Sequence, residues 1–98
     1  MKLHQKGFLL VQLNSVNTLW DEDLIARTLR EYGHSGEYWE SSIRVALDEL
    51  TAAGLVIRLQ SKLKNIRGKL MLSFLYAVTD FGKARMIDTG LLREDAAV

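Results

Sequence analysis

Three amphipathic helices, a two-stranded hairpin and a closing helix, in that order, make up the α+β fold that the sequence predicts. Three observations carry this. Apolar residues recur at helical spacing through the first half of the chain. At Leu55-Val56-Ile57 the pattern changes to β-branched and then alternating residues, which continue to Thr79. Beyond Thr79 helical spacing resumes behind a residue able to cap it.

The first helix is expected over residues 3–13, with Leu3, Leu9, Leu10 and Leu13 near one face and His4, Gln5, Lys6 and Gln12 opposite. Residues 14–18 are turn and cap formers that should end it. The second helix is expected over residues 19–32, capped by Asn17 or Thr18 and stopped by Gly33. Asp21, Glu22 and Asp23 would then occupy its first turn, where the helix dipole favours negative charge; capping explains this triplet better than metal binding. The third helix is expected over residues 37–53, where Trp39, Ile43, Ala46, Leu47, Leu50 and Ala53 trace one stripe ahead of Gly54. Two strands follow, joined by a turn at residues 64–68. In the second, Leu70, Leu72, Phe74, Tyr76 and Val78 share one face while Met71, Leu75 and Ala77 are apolar on the other, which predicts cover on both sides. Thr79 or Asp80 starts a last helix carrying Phe81, Ala84 and Ile87, interrupted by Gly90. Nothing resembles a repeat or a linker, so residues 1–92 are expected to form one domain and residues 93–98 a disordered tail.

The chain has 98 residues, 48% of them hydrophobic and 26% charged, with no Cys and no Pro. Disulfides and Cys-based zinc sites are excluded, and so short a chain is unsuited to a deep enclosed active site. No apolar run approaches the roughly 18 residues that span a bilayer, so a cytoplasmic, membrane-free protein without a cofactor is expected. The net charge of +1 hides a strong segregation. Residues 19–54 carry eight acids against three arginines, whereas residues 55–78 carry Arg58, Lys62, Lys64, Arg67 and Lys69 and no acid. A polyanion would meet one basic segment rather than a basic protein. Equally, edge-strand lysines can serve to keep a hairpin from pairing with other chains.

Two motifs carry a family resemblance. Leu47-Asp48-Glu49-Leu50-Thr51-Ala52-Ala53-Gly54-Leu55-Val56 resembles the end of a recognition helix running into the first wing strand of a winged helix-turn-helix domain. Tyr76-Ala77-Val78-Thr79-Asp80-Phe81-Gly82 is similar to the strand exit and helix start of PadR- and MarR-like transcription regulators. The resemblance covers about residues 3–90 and implies duplex DNA as partner, a homodimer on two half-sites, the third helix in the major groove and the hairpin along the backbone or minor groove.

Carried onto this chain, the resemblance nominates Tyr38, Ser41, Ser42 and Arg44 on the third helix and Arg58, Lys62, Lys64, Arg67 and Lys69 on the hairpin. Arg44 can grip a guanine edge with two hydrogen bonds, or form an exposed ion pair with Glu40 or Asp48, each four residues away. Glu37 and Glu40 depart from the pattern, because carboxylates at the start of a recognition helix repel the DNA backbone. The rival is a protein-docking winged helix that uses its acidic third helix. An enzyme ranks third, since no base, nucleophile and oxyanion donor can be assembled. A small-molecule effector pocket lined by Phe8, Trp20, Trp39 and Phe74, and a metal held by His34, Glu37 and Glu40, are weaker possibilities than core packing and a solvated turn histidine.

Overall fold

A computed structural model describes residues 4–91. Its elements run α1 (Gln5–Val16), β1 (Leu19–Trp20), α2 (Asp21–Tyr32), α3 (Glu37–Ala52), β2 (Val56–Ile66), β3 (Lys69–Val78) and α4 (Asp80–Asp88). The α+β order is the predicted one, with one strand added. The proposed tail, residues 93–98, lies outside the described residues.

Leu9, Leu10 and Leu13 bury one face of α1, which packs against α2, α3, β3 and α4. The helix continues into the predicted turn as far as Val16, with the Ser15 hydroxyl donating to the Gln12 carbonyl at 2.8 Å. It ends at Asn17, whose φ of 74° and ψ of −54° make a tight γ-turn in which the Thr18 amide donates to the Val16 carbonyl at 2.9 Å.

The second helix starts two residues later than predicted, and neither Asn17 nor Thr18 caps it. Leu19 and Trp20 instead pair antiparallel with Tyr76 and Leu75, giving a three-stranded sheet of order β1-β3-β2. Strand pairing satisfies the backbone groups that a helical turn would have used. Asp21 then opens α2, its Oδ1 accepting from the Glu22 amide at 2.8 Å.

Leu24 and Ile25 of α2 meet Ile43, Ala46, Leu47 and Leu50 of α3 in a core completed by Val56, Tyr76 and Met86. The two motifs that carry the resemblance meet in space. Thr79 donates its amide to Leu55 O at 3.1 Å and its hydroxyl to Gly54 O at 2.7 Å, while the same hydroxyl accepts from the Gly82 amide at 2.9 Å. Gly82 sits so close to this strand start that a Cβ there would lie 2.1 Å from the Leu55 carbonyl oxygen.

The hairpin departs from prediction at both ends. Its turn is only Arg67-Gly68, both residues at positive φ (53° and 81°), so Lys64 and Asn65 belong to β2. Near the root a bulge leaves Leu59 unpaired between the Arg58↔Tyr76 and Gln60↔Leu75 pairs. The expected cover on both sides of β3 holds only near the root, where Ser73 and Tyr76 are buried. Farther out, Leu70 and Leu72 are 72% and 53% exposed. An 11-residue strand reaches about 36 Å. The 16-residue α3 reaches about 24 Å, so the helical layer is too short to cover the hairpin. No helix among the described residues is long and apolar enough to cross a membrane.

Candidate functional site

The outer ridge of α3 lies between two flanks. Ile43, Ala46, Leu47 and Leu50 turn inward, which leaves Tyr38, Ser41, Val45, Asp48 and Glu49 outward with Ser42 half-buried beside them. Tyr38 is 75% exposed and meets Trp39 edge-to-face, the ring centroids 5.1 Å apart. Trp39 in turn stacks on His34 at 3.8 Å and 4°, which fixes the turn that starts α3.

On one flank, His4, Gln5 and Lys6 at the start of α1 form a shallow cleft with Tyr38, Ser41, Ser42 and Val45, and Lys6 pairs with Glu49 at 3.5 Å. On the other, Ile66, Arg67, Lys69 and Leu70 of the hairpin face Glu37, Glu40, Ser41 and Arg44. Ser41 borders both clefts.

Arg44 has neither of the partners that the sequence suggested. Its guanidinium donates to Asp21 Oδ2 at 2.7 Å, and its side chain is 25% exposed. Asp21 is buried; it also accepts from the Ser73 hydroxyl at 2.5 Å and from the Phe74 amide at 3.4 Å. The first residue of the acidic triplet is therefore a tie between α2, α3 and β3 more than a cap.

The hairpin cations are engaged too. Arg58 donates to Asp48 at 2.5 Å and lies 4.1 Å above the Phe74 ring. It also donates to the Tyr76 hydroxyl at 3.4 Å. Burial pushes the Tyr76 phenol above its ordinary range, and Arg58 opposes part of that rise. Lys62 sits 4.1 Å above the Trp20 ring. Lys64 pairs with Glu22 of α2. Arg67 pairs with Glu37 at 3.4 Å and with Glu40 at 3.0 Å. Glu40 Oε2 is screened from solvent and accepts no hydrogen bond, so that last contact is Coulombic. Lys69 has no ion-pair partner among the described residues.

Strand register sorts the hairpin into two faces. Lys62 and Lys64 pair with Ser73 and Met71 on one, and Leu63, Leu70 and Leu72 occupy the other. Leu70 and Leu72, together with Met71 from the other face, border clefts shared with α3, and Lys64 borders a further cleft with Glu40 and Arg44 of that helix.

Sequence reasoning missed Asp21 and Glu22 as partners of Arg44 and Lys64. A sequence exposes partners four residues apart, whereas these lie 23 and 42 residues from the cations they bind. The four aromatics nominated for an effector pocket do not converge. Phe8 meets Tyr32, Trp39 meets His34, Trp20 lies under Lys62, and Phe74 lies under Arg58. His34 is stacked on Trp39, and no group of three metal-ligating side chains occurs among the described residues.

No family model matches the sequence, and no curated protein does. Solved structures do match the fold. A candidate transcriptional regulator from Thermoplasma acidophilum aligns with a TM-score of 0.60 and 20% identity, over 95% of this chain and 79% of that one. Bacillus subtilis PadR, solved in complex with operator DNA, aligns with a TM-score of 0.60 and 24% identity, over 91% of this chain. This chain spans about half of PadR, 48% of its length. At such identities the likeness establishes the fold, in which β2 and β3 form the wing.

Proposed function

We propose that this winged-helix chain is a DNA-binding regulator that presents the outer ridge of α3 to the major groove of duplex DNA. The observation that carries this is the open ridge of Tyr38, Ser41 and Ser42, flanked by Lys6 on one side and by the wing on the other. PadR, which shares the fold, was solved with operator DNA. Tyr38, Ser41 and Ser42 supply the hydroxyls for base edges and phosphates. Lys62 and Lys69 reach phosphate without giving up a carboxylate, whereas Arg58 and Lys64 exchange one carboxylate each and Arg67 exchanges two. That exchange is feasible because exposed pairs contribute at most about 1 kcal/mol. Arg44, held by Asp21, positions α3 rather than reading a base. Two copies as a homodimer would engage half-sites one helical turn apart, about 34 Å.

A second reading has its own observation: Leu63, Leu70 and Leu72 form an exposed, uncharged strip beside α3, suited to docking a protein. One experiment separates the two. Fluorescence anisotropy of a labelled duplex should show binding at low salt that a Lys62→Ala, Lys64→Ala, Arg67→Ala, Lys69→Ala variant loses. Absence of binding by the native chain, or equal binding by the variant, rejects the DNA reading and leaves protein docking.

A further inference from the structure

We infer that Glu37 and Glu40 act as built-in competitors of phosphate, holding the wing tip on the first turn of α3 and lowering the chain's affinity for DNA. This rests on the DNA reading above and assigns the residues that regulate it.

Three observations converge. Arg67 is bracketed by both carboxylates, at 3.4 and 3.0 Å, with its own side chain 57% exposed. It occupies the first turn position at φ 53°, where Asn or Gly would sit without strain, so turn geometry does not account for an arginine there. Glu37 and Glu40 also fill the first turn of α3, whose unpaired amides are otherwise attractive to an anion. The two places best suited to a phosphate, an exposed guanidinium and a helix start, are thus occupied by the chain's own carboxylates.

The physical consequence is specific. Phosphate binding draws its strength from ions released when a cation meets the polyanion, with a salt slope of about 0.9 per phosphate neutralised. A cation already paired within the protein exchanges one anion for another and leaves a carboxylate facing the backbone. The wing should therefore contribute a smaller slope than its count of cations.

Binding of a mixed-sequence duplex, followed by anisotropy between roughly 0.05 and 0.3 M salt, tests this on the full chain. Glu37→Gln/Glu40→Gln should bind about tenfold more tightly at 0.1 M salt and show a slope steeper by about one. An Asp80→Asn/Asp88→Asn variant, with the same net charge but altered on α4, should gain less than about twofold. Tighter binding by the first variant alone, with the native chain also binding, supports the competitor. Superimposable native and variant curves, or an equal gain in the α4 variant, overturn it while DNA binding stands. If the native chain does not bind at the lowest salt, the DNA reading falls and this inference with it.

Discussion

The Arg44–Asp21 contact, which joins α2 to α3 beside the root of the wing, and the Arg67–Glu37 contact, which joins the wing tip to α3, pair the same two functional groups, and burial separates them. At the root, Asp21 is 1% exposed and its charge is shared among Arg44, Ser73 and the Phe74 amide. At the tip, Arg67 and Glu37 are 57% and 79% exposed. Removing one partner of a buried pair strands a charge away from water, whereas an exposed pair trades partners with solvent at little cost. The same two functional groups therefore fix architecture in one place and remain exchangeable in the other.

The largest expected effect follows from that contrast. Asp21→Ala should lose about 3 kcal/mol of unfolding free energy in urea, because Arg44 and Ser73 lose their shared acceptor. A loss below about 1 kcal/mol would mean the root is no tighter than the tip. Gly82→Ala comes next, at about 2 kcal/mol, since its Cβ would meet the Leu55 carbonyl oxygen at 2.1 Å and a Val78 methyl at 2.8 Å. At the tip, Gly68→Ala meets nothing within 4 Å but must hold φ at 81°, so a thermal melt should register about 1 kcal/mol. Arg67→Ala should cost less than about 0.5 kcal/mol in the same melt while weakening duplex binding.

The sequence made the order of elements legible because that order rests on local periodicity. Leu47 and Leu50 announce the buried stripe of α3, and Gly54, Thr79 and Gly82 announce the junction where both motifs meet. What stayed hidden depends on contacts between distant positions. Leu19-Trp20 is a strand only because β3 supplies its partner, so those residues looked like the start of a helix. The alternating leucines of β3 predicted cover on two faces, but how far the helices reach along a strand is not written in the strand. The site was legible as residue types more than as an arrangement. Arg58, Lys62, Lys64, Arg67 and Lys69 were visible as a basic run, and Glu37 and Glu40 as a conflict. That the conflict is answered by pairing Arg67 with those acids, 30 residues away in the case of Glu37, emerges only in three dimensions.

For duplex binding as proposed, the ridge of α3 and the wing must form one DNA-facing surface. Amide chemical-shift mapping of the full chain during titration with a duplex tests it most directly. The shifts should gather at Tyr38, Ser41, Ser42 and residues 62–69, with α4 unmoved. Shifts confined to α4 and the far side of α2, or none at low salt, would contradict it.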